Sequence, residues 1–396
     1  MILIVNAGSS SIKFKLFDTS NLNNPISIVE GIAERINVDG RLIIKTKTDK
    51  FEFDDSMKNH DDAVQSILVR FKELNLIKDF DDIKGIGFRV VHGGNKILRS
   101  VELTEENKKI IEENIKLAPL HNPGALTAIT AFEKKLGRAK LVGCFDTAFH
   151  QTIPRENYLY ATPYSWFQDF SLRKYGFHGI SYQYITEKMS EVLKKDKENL
   201  NLIVCHLGNG ASMCCIKEGK SFDTTMGLTP LAGLIMGTRT GDIDPSILQY
   251  MAKQLDKNVE EITDILNKKS GILGLSGISS DMRDITEAIR NEDKQATMAL
   301  DLYTQKIADF IIKYTNQLNG SVAAIVFTAG IGENAADVRS GVIDKINIIP
   351  LDIDEDQNLK SYDEHLEISS AKSLYKILKM RTDEELMICK ETLKFL

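Results

Sequence analysis

A short apolar run that breaks at a small polar turn and resumes as a second strand occurs twice in this 396-residue chain. That duplication constrains the fold more than any other feature. Residues 1–5, Met-Ile-Leu-Ile-Val, lead into Asn6-Ala7-Gly8-Ser9-Ser10-Ser11 and continue as the alternating Ile12-Lys13-Phe14-Lys15-Leu16-Phe17, a pattern that predicts a β-hairpin. The Leu-Ile-Val of residues 3–5 returns at 202–204, followed by Cys205-His206-Leu207-Gly208-Asn209-Gly210-Ala211-Ser212 and then Met213-Cys214-Cys215-Ile216. Small residues let backbone N–H groups approach an anion, hydroxyls donate hydrogen bonds to it, and Lys13 adds a full charge. Each tip is therefore a candidate phosphate cradle, although neither matches GxxxxGK[ST]. A third turn, Thr328-Ala329-Gly330-Ile331-Gly332-Glu333-Asn334, follows the apolar run 322–327 and opens a helix. Its glycines can admit a flat ring, and a helix start favours anionic groups.

The length suits two domains, each able to bury its own core, and no Pro/Ser-rich linker separates them. Periodicity predicts strands at 26–32, 42–46, 85–91, 139–145, within 201–225 and at 321–328. It predicts helices at 60–75, 122–136, 244–268, 280–291 and 293–319, another from 334, and a last one at about 383–395; Thr104 caps a further helix with an acidic start.

A net charge of −6 argues against nucleic acid or an anionic membrane as partner. It also means that an anionic substrate must be drawn in by local arginines and lysines. The N-terminal apolar run has no basic flank and is too short for a signal segment or a membrane span. Five cysteines without CxxC spacing read as buried residues of a reducing compartment, so a cytoplasmic location is expected.

Arg89, with Gly87 before it and Gly93-Gly94 beyond, and Arg239, in Gly237-Thr238-Arg239-Thr240-Gly241, stand in glycine-bearing loops. Their guanidinium forks match carboxylate and phosphoryl oxygens. His121, His178 and His206 stand in dense motif blocks, whereas His150 reads as structural. No His/Cys spacing fits zinc. Asp146 ends a predicted strand, where open α/β sheets place ligand residues.

The blocks Asn6-Ala-Gly-Ser-Ser-Ser11, Arg89-Val-Val-His-Gly-Gly94, Ala118-Pro-Leu-His-Asn-Pro123, Phe145-Asp-Thr-Ala-Phe-His150, Tyr175-Gly-Phe-His-Gly179, His206-Leu-Gly-Asn-Gly210, Met236-Gly-Thr-Arg-Thr-Gly-Asp-Ile-Asp-Pro245 and Gly330-Ile-Gly-Glu-Asn334 occur in the order in which the acetate kinases (acetokinases) carry them. By these blocks the chain resembles that family, part of the actin, sugar kinase and heat-shock ATPase superfamily. The resemblance implies a duplicated actin-like (ribonuclease H-like) α/β fold with the ligand in a cleft between two domains. Their expected extents are 1–148 plus a returning 384–396, and 149–383. It implies Mg2+-dependent phosphoryl transfer from ATP to acetate, in a homodimer, with a propionate or butyrate kinase of the same family as the alternative. A non-catalytic actin-like nucleotide-binding module would have no use for the paired arginines.

Carried over residue by residue, the resemblance implies that Arg89 orients acetate and that Arg239 and His178 stabilise the transition state. Asp146 is essential, whether through Arg89, the metal or a proton. Val91, Leu120, Phe177 and Pro230 form the acyl pocket, with His121 orienting the site. Ser9, Ser11, Lys13, His206, Leu207, Gly208, Asn209 and Gly210 serve the nucleotide phosphates. Asp281, Met282 and Arg283, with Gly330, Ile331, Gly332, Glu333 and Asn334, serve the adenosine; Asn6 and Glu384 hold the metal. The chain departs from the family's pattern at Phe88, at Gly124-Ala125, at Tyr182 and at Asp383. The last adds a negative charge beside the expected metal.

Overall fold

Both hairpins form where the alternation puts them in the computed structural model, which describes residues 1–119 and 121–396. The chain divides into two compact units, Met1–Phe149 with Asp383–Leu396, and His150–Thr382. In the first unit the strands are β1 (Ile2–Ala7), β2 (Ser11–Asp18), β3 (Ile26–Glu34), β4 (Arg41–Lys45), β5 (Lys50–Phe53), β6 (Gly85–Val90), β7 (Val101–Glu102) and β8 (Lys140–Phe145). They make one sheet in the order β5-β4-β3-β2-β1-β6-β8-β7. The second unit contributes β9 (Leu202–Leu207), β10 (Ala211–Lys217), β11 (Lys220–Thr224), β12 (Ala324–Thr328), β13 (His365–Glu367) and β14 (Lys376–Met380), in the order β11-β10-β9-β12-β14-β13.

The duplication extends well past the hairpins. The sets β3-β2-β1-β6-β8 and β11-β10-β9-β12-β14 share one order and one pattern of directions. In each, three antiparallel strands are followed by two parallel neighbours. The central strands are covered on both faces, which is why 2–5, 202–205 and 324–327 are continuously apolar and buried, not alternating.

Two adjacent residues of β6 show how the first sheet is covered. Phe88 packs edge-on against Phe132 of the helix Asn122–Lys135, ring centroids 5.9 Å apart. Neighbouring residues of a strand face opposite ways, so Gly87 looks to the other side. There a Cβ would lie 2.4 Å from Thr392 Oγ1 and 2.5 Å from Ile388 Cγ2 of the helix Glu384–Leu393. Gly87 thus admits the terminal helix, while Phe88, the departure before Arg89, is a core residue. In the second unit the helix Lys294–Gln317 buries Ala296, Ala299, Tyr303, Ile307, Ile311 and Tyr314, a helical stripe packed on β9 and β10.

Some boundaries differ from the periodicity. The predicted helix 244–268 is two, Ser246–Leu255 and Val259–Lys268, because Asp256 takes a left-handed conformation (φ 50°) and Asn258 starts a new helix with a capping box. The glycine turn lies inside a helix, Ala329–Asn334, followed by a second, Ala336–Ile343, so the helix expected from 334 begins five residues earlier. The helix Gly179–Leu193 and the strands β13 and β14 had no predicted counterpart. Among the described residues no helix is long and apolar enough to cross a membrane.

Candidate active site

The carboxyl ends of parallel strands collect the charged residues of the first unit. Arg89 lies in β6 one step past the Val5–Phe88 pair, so it follows beside Asn6 of β1; Asp146 follows β8, its N–H donating to Val90 O at 3.0 Å. Arg89 donates through Nε to Asp146 Oδ1 at 2.9 Å and through Nη2 to Asp146 Oδ2 at 2.8 Å, a bidentate pair. Its Nη1 lies 3.0 Å from Glu384 Oε2, and the three side chains are 20%, 3% and 15% exposed in the order Arg89, Asp146, Glu384. Burial opposes the charge of Arg89, but Asp146 and Glu384 outweigh it and raise the guanidinium pKa above its usual value. Burial pushes the Glu384 carboxyl up to about 7, with Asp146, Glu385 and Asp383 adding to the effect and Arg89 opposing it.

Asp383 does not leave a bare extra charge. It caps the terminal helix by accepting from Leu386 N at 2.9 Å, and its Oδ1 lies 3.6 Å from Lys15 Nζ. The hairpin tip is braced from two sides: His60 Nε2 bonds to Gly8 O at 2.9 Å, and Gly124 approaches so closely that a Cβ there would lie 2.8 Å from the Gly8 carbonyl carbon. Gly124, another departure, therefore has a steric reason. Ser9 is exposed, Ser11 half-buried, and Lys13 stands opposite Asn6 in the ladder. Among the described residues Lys13 makes no ion pair. Val91 is half-buried just beyond β6, and His121 occupies the N-cap position of the helix Asn122–Lys135. Leu120 lies outside the described residues. Asn122 is fully buried and holds the loop after Arg89 by accepting from His92 N at 3.3 Å and donating to His92 O at 3.0 Å. Its motif block pointed to Asn122, but only the fold reveals this task.

In the second unit Arg239, His178 and Gly210 converge. A Cβ on Gly210 would sit 3.5 Å from Arg239 Nη1 and 3.8 Å from His178 Nε2. The Arg239 guanidinium donates to the Pro230 carbonyl, at 3.4 Å, and meets the Met236 sulfur, at 4.0 Å. Among the described residues no carboxylate pairs with it, and burial lowers its pKa. The loop that carries it is clasped to the second hairpin tip: Gly237 N donates to Asn209 O at 2.9 Å, and a Cβ on Gly237 would fall 1.8 Å from Asn209 Oδ1.

His178 stacks on His206, with ring centroids 4.1 Å apart and planes 20° apart. His178 Nδ1 bonds to Ser212 Oγ at 2.8 Å, and Ser212 also meets the hydroxyl of Tyr182. His206 Nδ1 bonds to Ser181 Oγ at 2.9 Å, and Ser181 to Thr382 Oγ1 at 2.8 Å. Tyr182, a departure from the family's histidine, thus reaches the same ring system through Ser212. His150 is structural: fully buried, it bonds through Nδ1 to Ser221 Oγ at 2.7 Å and donates from Nε2 to the carbonyl of the buried Phe177 at 2.8 Å. A carbonyl only accepts, so this bond fixes the tautomer.

A cavity of about 770 Å³ gathers eight of the residues expected to hold a nucleotide: Gly208, Asn209, Asp281, Met282, Arg283, Gly330, Ile331 and Asn334. A Cβ at Gly330 would have no atom within 4 Å, so the position opens into free space. The expected neighbours Leu207, Gly332 and Glu333 point to other tasks. Leu207 is buried, Gly332 O accepts from Arg339, and Glu333 Oε1 accepts from Thr382 N at 3.3 Å while burial raises its pKa.

Residues 1–390 match the model of the acetokinase family. The chain is 57% identical over 393 residues to the acetate kinase of Mesoplasma florum, covering 99% of both proteins. Among solved structures it is similar to the acetate kinase of Porphyromonas gingivalis, with a TM-score of 0.93, 38% identity and coverage of 99% of this chain and 98% of that one. It is also similar to a propionate kinase from Francisella tularensis, with a TM-score of 0.91, 40% identity and 99% coverage of each.

Proposed function

The chain belongs to the acetokinase family, and on that premise we propose that it moves a phosphoryl group between ATP and acetate, forming acetyl phosphate and ADP. The observation that carries acetate as the acid is the 57% identity over the full length of a named acetate kinase. A carboxylate oxygen attacks the γ-phosphorus in line, and the bond from that phosphorus to the β–γ bridging oxygen breaks with its electron pair going to ADP. Acetate is ionised at neutral pH, so no base is needed and catalysis rests on alignment and charge.

Arg89, held rigid by Asp146, is suited to orient the acetate carboxylate; Asp146 then acts through Arg89. Among the described residues no anion pairs with Arg239, which suits it to the charge of the transferring phosphoryl group. His178 joins it. When Tyr182 donates to Ser212 and Ser212 to Nδ1, the ring proton is on Nε2, beside Gly210 and Arg239, where it can donate to a phosphoryl oxygen. The family's pattern assigns the methyl group to Val91 of the first unit and to Phe177 and Pro230 of the second, all apolar. A one-carbon difference is worth only about 1–3 kcal/mol in such a pocket, so propionate is expected to be a slower substrate.

The carboxylates around Arg89 outnumber it, and Glu384 is pushed toward neutrality by burial. That donor set fits a divalent cation, which we assign as Mg2+ held by Glu384 and Asn6. The metal would supply charge neutralisation for the nucleotide phosphates. Trp166, Phe170, Tyr250 and Leu255 are exposed, and the helix Ser246–Leu255 buries no residue in the single chain, which supports a homodimer through this unit. The five buried free cysteines support a cytoplasmic location.

Acyl hydroxamate formation from ATP, magnesium and C2 to C4 acids tests the reading. Product is expected with acetate above the longer acids, and none with any acid would end it. Because Gly330 opens into the cavity assigned to adenosine, Gly330→Gln is expected to raise KM for ATP on the order of tenfold or more through steric overlap, with KM for acetate little changed. An unchanged ATP KM would move the adenine elsewhere.

A further inference from the structure

Two cations are buried in the second unit without any carboxylate against them. Arg339 is 1% exposed and Lys379 is 2% exposed. Among the described residues neither makes an ion pair. Instead both spend their protons on backbone carbonyls. Lys379 Nζ donates to Asn358 O at 2.7 Å and to Lys360 O at 2.6 Å. Arg339 donates to Asn358 O and to Gly332 O, each at 2.8 Å, and to Asn358 Oδ1 at 2.7 Å. Burying a charge with no counter-ion is costly, and only its hydrogen bonds offset that cost.

The carbonyls they hold flank the 770 Å³ cavity. Leu359, the residue between Asn358 and Lys360, lines it, as do Gly330, Ile331 and Asn334 around Gly332. Leu359 is 72% exposed, so packing does not hold it in place. Arg339 therefore ties together two walls of the cavity, the turn 330–334 and the segment 358–360, and Lys379 holds the second of them.

We propose that Lys379 and Arg339 are positioning residues for the nucleotide base: they fix both walls of its cavity and so set ATP affinity without acting on acetate or on the transfer step. The inference rests on the reading that this cavity takes the adenosine of ATP.

Its pH dependence follows from the surroundings of Lys379. Burial, helped by Arg339, pushes the ammonium down to about 8. The other charged or titratable groups nearby are Tyr362, whose ring centroid is 5.1 Å from Nζ, Arg381 over the same ring at 5.5 Å, and Glu355 and Glu333 beyond them. Burial pushes Tyr362 up to about 12, so it stays neutral in the range of interest. Below pH 8 the ammonium holds both carbonyls. Above it the neutral amine donates more weakly and turns a lone pair on its neighbours, so KM for ATP is expected to rise.

The test is the kinetics of Lys379→Met and Lys379→Arg from pH 6.5 to 9.5, with direct ADP binding and Gly330→Gln as a control. Lys379→Met is expected to raise the ATP KM and the ADP Kd about tenfold, the scale of a lost charged hydrogen bond, with acetate KM and saturated kcat within about twofold. Lys379→Arg, charged throughout, is expected to bind ATP nearly normally and to lose the rise above pH 8. An unchanged ATP KM in Lys379→Met, or an equal loss for acetate, overturns the proposal. If Lys379→Met does not fold, a wild-type ATP KM that stays flat through pH 8–9.5, or a rise retained in Lys379→Arg, overturns it. Should Gly330→Gln also leave the ATP KM unchanged, the cavity assignment fails; a sensitive Gly330→Gln with a silent Lys379→Met refutes this inference alone.

Discussion

Arg239→Ala is expected to lower kcat by about 100–1000-fold, the usual cost of removing one preorganised charge donor, while leaving the protein as stable as before or slightly more so. The asymmetry follows from the environment of the side chain. Arg239 is half-buried, its nearest partners are a carbonyl at 3.4 Å and a thioether sulfur at 4.0 Å, and burial already lowers its pKa. Removing it therefore breaks no ion pair and releases a charge that folding had to desolvate. Steady-state kinetics together with urea unfolding check both halves. Turnover within a few-fold of wild type would remove Arg239 from the transition state, and a large loss of stability would mean that it is a structural residue.

Arg89→Ala is expected to produce a kinetic loss of the same order with the opposite stability signature. Asp146 is nearly fully buried and takes both of its charged hydrogen bonds from Arg89, while Glu384 takes a third contact. Truncation leaves two carboxylates with no counter-charge between them, expected to cost about 1–3 kcal/mol of stability at neutral pH. Burial already holds the Glu384 carboxyl at about 7 with Arg89 beside it, and removing the guanidinium, which opposes that rise, pushes it higher. A folded carboxyl pKa above the unfolded one means that stability is lost as pH rises from the unfolded value to the folded one, so the deficit of the variant should open above about pH 7, where the wild-type loss has ended, and shrink below it. Unfolding midpoints across pH 5–8 measure this. A deficit independent of pH would show that Arg89 contributes packing and not charge, and near-normal turnover would refute its role with acetate.

Much of the framework was legible because it is encoded locally. The hairpin at 2–18 shows as an apolar run, a hydroxyl-rich turn and an alternating strand, and its second copy at 202–217 shows by the same signature. Thr104 caps a helix with a side chain that only short-range geometry requires. The eight motif blocks carried the family, and with it the reaction. Arg89, near the end of β6, and Arg239, in a loop, stood out because a guanidinium beside glycines is chemistry that can be read one residue at a time.

Other features had no local signature. Strand β14 was not legible because Lys379, buried among the carbonyls of Asn358 and Lys360, breaks the apolar pattern by which buried strands are recognised. The partition of Asp383 into a helix cap and a contact with Lys15 joins residues far apart in sequence, as does the pairing of Arg89 with Asp146 and Glu384. Gly87 is a plain strand glycine until the helix Glu384–Leu393 occupies the place of its missing side chain. Periodicity, turn chemistry and capping act over a few residues, so the sequence alone determined the two hairpins, the main strands and helices and the family. Which charges are neutralised, and by whom, depends on distances between strands and helices that meet only on folding. The tertiary structure alone therefore decided that Arg89 is clasped by two carboxylates, that Arg239 meets none among the described residues, and that two buried cations hold the walls of a cavity.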